Sequence, residues 1–273
     1  MKISVLIPSR GRPEQLIRSV RALQVLASGN HEISYVVGCD HDDPDTVKAC
    51  IALGDGIRAY VLQRRPSLGQ IVNILAEQNP AEVYCSYADD VEMLEPGWDQ
   101  HVVDAVTDHP DWVLWFRAKV FVDGEVVAEN PYAVVPEKWR KAAGRIFTDY
   151  FPYWHDDGWL DQVFRFARGT HNWFVVDVKL RDDNRGKTHR LHDYPFWESF
   201  FWERDGERLA EAARIAEALG WPAVEKPEQY RIPRRPMFTQ WQLDNRSVGG
   251  ERTPEYMQAL ERAKMIYGEL GAE

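Results

Sequence analysis

Four short apolar runs in the first third of the chain, each closed by a turn and followed by a polar-apolar segment, restrict the fold more than any other feature of the sequence. They are ISVLI (3–7), ISYVVGC (33–39), IRAYVL (57–62) and VYCSY (83–87). Uninterrupted apolar runs suit strands covered on both faces, and such strands alternate with crossover helices in parallel sheets. Behind the first run Pro13 opens a segment with Leu16, Ile17, Val20 and Leu23 at helical spacing. Behind the second, Asp43-Pro44 starts a helix that reaches Leu53 and stops at Gly54. Ile71, Val72, Ile74 and Leu75 mark the helix behind the third. The class is therefore α/β with a mostly parallel sheet flanked by helices. Its ligand crevice is expected beyond the carboxyl ends of the strands, where the loops after Ile7, Cys39, Leu62 and Tyr87 meet.

Later the pattern changes. WVLWFR, AKVFV and EVVAE, around Asp123-Gly124, read as a strand followed by a hairpin. A helix is expected over 157–167, a last core strand at NWFVVDV (172–178), and two amphipathic helices over 207–219 and 254–270. Between the latter lies a Pro-, Arg- and aromatic-rich stretch (227–252) with little periodicity, of which the Arg- and aromatic-rich part from Tyr230 to Arg252 is read as a mobile lid or acceptor-contact region. Residues 1–180 read as the core and 181–273 as a C-terminal helical and irregular extension packed on it; no linker marks an independent second domain. At 273 residues and 44% hydrophobic content the chain fills a sizeable core. A net charge of −10 argues against holding long nucleic acid by phosphate neutralisation. Cys39, Cys50 and Cys85 lack metal-type spacing and read as reduced thiols, which with no signal peptide and no membrane span predicts a cytoplasmic protein.

The strand ends carry the chemistry. Asp40, Asp42, Asp43 and Asp45 follow the second run, and Asp89 and Asp90 the fourth. Acidic clusters that converge repel each other unless a cation or donors stand between them, and all-oxygen pairs suit Mg²⁺ or Mn²⁺ bound together with substrate phosphates. The plainer reading makes Asp43 a helix cap, Asp45 a first-turn acid and Asp89 or Asp90 a turn former. Arg10 and Arg12 follow the first run and Arg64 and Arg65 the third, the complement that a diphosphate needs, although loop arginines are commonly only solvated. Trp154, Trp159, Trp173, Trp197, Trp202 and Trp241 are either core or the lining of an acceptor groove.

Taken in order, ISVLIPSRGRP, VVGCDHDDPDT, RRPSLGQIVNILAEQ, YADDVEMLEPGWD and YWHDDGWLDQVFR resemble the motifs of GT-A fold glycosyltransferases, especially the inverting enzymes of glycosyltransferase family 2. The resemblance covers about residues 1–180. It implies that Pro8, Ser9 and Arg10 wrap the nucleotide, that Asp40 bonds the base, and that Arg12, Arg65 and Asn73 contact the donor. Asp89 would reach the ribose or metal, and Asp90 would bind the Mn²⁺ or Mg²⁺ that bridges the diphosphate. The strict Asp-x-Asp form of the metal motif is replaced by Ala88-Asp89-Asp90-Val91, which leaves open which aspartate is the ligand. Asp157 matches the second acid of the family's Glu-Asp motif and is the expected base, with Asp156 as the alternate and a helix N-cap as the structural reading of either. A late histidine, His192 rather than His189, would add a metal ligand. The implied partners are a nucleotide-sugar donor and an acceptor hydroxyl on a glycan, a small molecule or a modified nucleobase. The rival functions are a nucleotidyltransferase or sugar-phosphate pyrophosphorylase, and a non-catalytic nucleotide- or carbohydrate-binding module.

Overall fold

The structure, a computed structural model, describes residues 1–54, 56–63, 67–122, 125–152, 155–182, 193–233, 257–258 and 260–265. Arg64, Arg65, the Asp123-Gly124 turn, Trp154, His189, His192, Trp241 and most of the expected 254–270 helix lie outside the described residues. The chain divides into two compact units. The first is Met1–Arg65, Ile71–Ile146 and Asn172–Gly186, and the second is Pro66–Gln70, Phe147–His171 and Lys187–Glu273.

The first unit carries the expected alternation: β1 (Lys2–Ser9), α1 (Pro13–Leu26), β2 (Glu32–Asp40), α2 (Pro44–Leu53), β3 (Ile57–Leu62), α3 (Leu68–Gln78, whose residues up to Gln70 are assigned to the second unit) and β4 (Val83–Ser86). Three residues, Val91–Met93, form β5, and α4 (Trp98–Asp108) leads to β6 (Leu114–Val122), β7 (Glu125–Pro136) and α5 (Glu137–Ala143). Among the described residues the sheet has eight strands in the order β3-β2-β1-β4-β7-β6-β8-β5, where β8 is Leu180–Asp182. β3, β2, β1 and β4 run parallel, β7 is antiparallel to both its neighbours, β6 runs parallel to β8, and β8 is antiparallel to β5.

Burial explains the apolar runs. Side chains alternate faces along a strand. Ile3, Val5 and Ile7 of β1, Val37 and Cys39 of β2, and Val83 and Cys85 of β4 form one core with Leu16, Val20 and Leu23 of α1, Cys50 of α2, and Trp98 and Val102 of α4. The opposite face is also covered, since Leu6, Val36 and Tyr84 are buried as well. There α3 lies so close that a Cβ on Gly38 would stand 2.7 Å from Ile71 Cγ2 and 3.3 Å from Leu75 Cδ1.

Two expectations are corrected. AKVFV is not the first arm of a separate hairpin but continues WVLWFR as β6, which pairs along its length with the twelve-residue β7. Pro131 is tolerated in β7 because β4 pairs only with Val134–Pro136, so the missing N–H costs no ladder bond on that side. The expected strand at 172–178 is reduced to one bridge between Trp115 and Val175. The Val178 N–H turns back to the Val176 carbonyl (2.9 Å), breaking the ladder at Asp177, and regular pairing resumes only at β8.

The second unit is helical: α6 (Asp156–Arg168), α7 (Tyr194–Glu203), α8 (Asp205–Leu219) and a 3₁₀ turn (Pro227–Tyr230). α7 has no polar stripe to announce it, and its Tyr194, Trp197, Phe200 and Phe201 are all buried. Fully buried Gln162 of α6 holds the backbone that follows the 3₁₀ turn, donating to Tyr230 O (3.2 Å) and accepting from the Ile232 N–H (2.6 Å). Of the tryptophans weighed for an acceptor groove, Trp159 and Trp197 are core, while Trp173 is half-buried and stacks on Trp115 at 5.4 Å. No helix among the described residues is long and apolar enough to cross a membrane.

Candidate active site

In the first unit the strand order β2-β1-β4 sets three carboxyl ends side by side. Asp89 and Asp90 occupy a turn closed by the Val91 N–H on Ala88 O (3.4 Å), a carbonyl that also accepts from Ser19 Oγ of α1 (3.3 Å). The aspartates are therefore turn residues, and they are also charged partners. Asp89 Oδ2 accepts from Ser9 Oγ (2.8 Å), and Asp89 Oδ1 from Arg12 Nη1 (3.2 Å). The same Arg12 nitrogen pairs with Asp90 Oδ2. Arg10 serves the neighbouring strand end, with Nη1 on Asp40 Oδ2 (2.5 Å) and Asp42 Oδ1 (2.6 Å) and Nη2 on Asp42 Oδ2 (3.2 Å). Between them Gly11, at φ +68°, donates its N–H to Asp43 Oδ2 (2.6 Å). Asp43 is also the cap read from the sequence, accepting from Thr46 N (3.3 Å) and Thr46 Oγ1 (2.5 Å). Asp45 is exposed and paired with Lys48.

Electrostatics separate these acids. Burial raises the pKa of Asp89 against the opposing pull of Arg12 and Ser9. Asp90 is pushed up to about 7, first by burial and then by Asp89, with Arg12 only partly offsetting them. Burial also works against the charge of Arg12, but the fields of Asp90 and Asp89 more than restore it. Asp43, bonded to Thr46 and Gly11, stays below the usual carboxylate range although burial works against it. Among the described residues Arg12 therefore offsets the Asp89-Asp90 pair only in part.

Sequence reasoning missed a third acid there. Asp182 ends β8 directly opposite Val91, is 4% exposed, and its Oδ2 accepts from Asn130 Nδ2 (2.6 Å) and Tyr132 Oη (3.1 Å). Its field raises the pKa of both Asp90 and Arg12. Tyr132 in turn lies 6.1 Å, ring to ring, from buried Tyr87, whose hydroxyl has no hydrogen-bond partner among the described residues. No apolar run announced Asp182: the chain up to it reads VDVKLRD, and the strand expected there ended at Val178, four residues short of it.

Of the expected donor residues, the structure brings Ser9, Arg10, Arg12, Asp40, Asp89 and Asp90 together in this network. Pro8 lies beside Gly38 in the β1–β2 pairing. Asn73 is on α3, where its amide oxygen accepts the Ile146 N–H (2.9 Å). Arg65 and His192 are outside the described residues. No group of three or more His, Cys, Asp or Glu side chains arranged to hold an ion stands among the described residues.

In the second unit, the N-cap of α6 is His155 in the left-handed conformation (φ +70°), not Asp156 or Asp157, which form the first helical turn. The His155 ring is buried and stacks on Phe201 (4.9 Å) and Tyr194 (5.6 Å). Burial, and then the field of Arg208, hold its pKa down to about 3, so the ring is neutral, and its Nε2 has no hydrogen-bond partner among the described residues. Arg208 lies over the rings of Phe201 (4.0 Å) and Trp159 (4.9 Å) and bonds Asp205 Oδ1 (2.9 Å). Asp156 is buried and Asp157 half-buried. Burial raises the pKa of Asp157 against the Gly158 N–H that its Oδ1 accepts (2.8 Å). Gly69 belongs to the same unit, and a Cβ there would stand 2.3 Å from Thr148 O and 3.2 Å from Asp156 Oδ1.

No family model matches the sequence, and no curated protein matches it. Solved structures do. S. aureus TarS 1-349 in complex with UDP-GlcNAc superposes with a TM-score of 0.61 at 14% identity, over 96% of this chain and 80% of that one. The same protein with UDP gives 0.57 at 13% identity, over 95% and 79%. A further structure, of S. aureus TarS, gives 0.53 at 14% identity, with 96% of this chain spanning 48% of that one. TarS is a GT-A-type glycosyltransferase. The chain has the GT-A fold. At these identities the likeness is one of fold, and the resemblance read from the ordered strand-end motifs agrees with it. In the GT-A frame the Ser9–Arg12 turn and the Asp89-Asp90 turn lie at the carboxyl ends of adjacent parallel strands, the place where open α/β sheets bind ligands.

Proposed function

We propose that the protein is a glycosyltransferase that moves a sugar from a nucleoside diphosphate donor to an acceptor hydroxyl, with Mn²⁺ or Mg²⁺ at Asp89 and Asp90. The single observation that carries this reading is the network at the strand ends, in which buried Asp89 and half-buried Asp90 share the Arg12 guanidinium, which only partly offsets the burial and repulsion acting on Asp90. Its support from outside is that TarS, of the same fold, was crystallised with UDP and with UDP-GlcNAc. The residues fit a metal of this kind. Two carboxylates without a third described ligand suit an ion completed by phosphate oxygens rather than one caged by protein. When bound, such an ion would offset the charge that builds on the departing diphosphate.

The remaining work falls to the chain's own side chains. Asp40, with Pro8 and Ser9 beside it, would receive the base and ribose, and Arg10 and Arg12 offer guanidinium forks to the diphosphate. Asp157, or Asp156, would take the proton of the acceptor hydroxyl as its oxygen bonds the anomeric carbon. The bond from that carbon to the diphosphate oxygen breaks in the same step, the electron pair leaves with the nucleoside diphosphate, and the anomeric centre inverts. Burial that lifts the pKa of Asp157 favours this role, because a base must hold its proton near neutral pH. The acceptor is a hydroxyl on a glycan, a small molecule or a modified nucleobase.

The test is a titration of nucleoside diphosphates, UDP first, with and without Mn²⁺. Wild type is expected to bind more tightly with the metal, and Asp90→Ala to lose that dependence while staying folded. A folded wild type with no metal-dependent binding of any nucleoside diphosphate refutes the reading.

A further inference from the structure

We propose that Arg12 is the resident counter-ion of the Asp89-Asp90 pair and competes with the metal for it, so that the ion enters together with a donor diphosphate that takes Arg12 over. The inference rests on the metal-dependent reading above and adds an order of binding to it.

One nitrogen carries the case. Arg12 Nη1 bonds Asp89 Oδ1 (3.2 Å) and pairs with Asp90 Oδ2, so it sits across the carboxylates that an oxygen-seeking ion would use. Arg10 leaves that place alone, its guanidinium being engaged with Asp40 and Asp42. An ion arriving by itself finds both acids occupied by a guanidinium and repels it. Arg12 cannot simply withdraw, because a partly buried guanidinium that loses charge-assisted hydrogen bonds without replacement forfeits them outright. A diphosphate removes the difficulty, since its oxygens accept the same fork geometry that Arg12 gives up.

The backbone around Arg12 is held independently of its guanidinium. Gly11 is held by Asp43 (2.6 Å), and Arg12 is the N-cap of α1, its carbonyl accepting the Leu16 N–H (3.0 Å). Neither hydrogen bond involves the Arg12 guanidinium. Metal and nucleotide then bind with positive coupling, each raising the affinity of the other by the same factor.

The experiment measures Mn²⁺ binding to the full chain by the electron paramagnetic resonance of the free ion, with and without UDP, in wild type and in Arg12→Met, each checked for folding by circular dichroism. Wild type is expected to hold Mn²⁺ alone weakly and to tighten with UDP. Arg12→Met is expected to bind Mn²⁺ alone about tenfold more tightly than wild type, the change that follows from one charge-assisted hydrogen bond, and to gain less from UDP. An Arg12→Met protein that binds Mn²⁺ alone no more tightly than wild type, while wild type still responds to UDP, overturns the competition and leaves the metal-dependent function standing. A wild type with no UDP response overturns that function itself. If Arg12→Met does not fold, Arg12→Lys reads the same competition, with an intermediate gain expected and no gain overturning it.

Discussion

Replacing His155 with Phe isolates the uptake of one proton on unfolding. In the folded protein this ring has a pKa near 3, while an unfolded histidine titrates near 6.5. The unfolded chain therefore binds a proton that the folded one refuses. The stability that His155 allows is fully present above pH 6.5 and is lost as the pH falls toward 3, at up to about 1.4 kcal/mol per pH unit. Between pH 7 and pH 5 the loss is about 2 kcal/mol. Phe keeps the stacking against Phe201 and Tyr194, carries the same Cβ at φ +70°, and removes a buried ring nitrogen that has no partner among the described residues. His155→Phe is accordingly expected to match or exceed wild type at pH 7. Urea denaturation of both proteins at pH 7, 6 and 5 should show the variant gaining about 2 kcal/mol on wild type over that range, other titrating groups cancelling in the difference. Parallel pH profiles, or a wild-type imidazole resonance that titrates near pH 6.5, would refute the reasoning.

Gly69→Ala sets helix propensity against space. Alanine gains about 1 kcal/mol as a helix former, but its Cβ at 2.3 Å from the Thr148 carbonyl demands a backbone shift costing about 1–3 kcal/mol, so a net loss is expected in the urea midpoint, and a gain would mean that the Thr148 segment yields freely. Asp157→Asn is expected to keep nucleotide affinity and to lower nucleotide release from a nucleotide sugar by about 10²–10⁴-fold; if Asp156→Asn alone produces that loss, the base is Asp156.

The parallel half of the sheet was legible because β1, β2 and β4 are buried on both faces and so read as apolar runs, while the edge strand β3, half exposed, was marked by its β-branched and aromatic residues and the turns around it. Strands of three residues offer no period to read. β5 pairs with β8, and β8 in turn with β6, and Asp182 was invisible with them: its place beside Asp90 comes from these distant pairings, Val91–Asp182 among them, and not from anything local. α7 was hidden for the opposite reason, its aromatic positions being too many to define a face. At the strand ends the residue types were readable, but their partners were not. That Arg12 goes to Asp89 and Asp90 while Arg10 goes to Asp40 and Asp42 follows from β1 lying between β2 and β4, an order that the chain sets only in three dimensions. At α6 the acids were placed correctly within the helix start, yet the cap fell one residue earlier, on a histidine in the left-handed conformation, which is uncommon for any residue but glycine and so was not expected there.

The Ser9–Asp89 hydrogen bond joins residues eighty positions apart. Helices and the local strand-helix units can assemble early, whereas this contact waits until β4 has inserted beside β1, the kind of distant pairing that slows folding. Nucleotide binding at this end of the sheet is therefore a gauge of native topology. A refolded sample that recovers its helical signal without it has the elements in place but not their order.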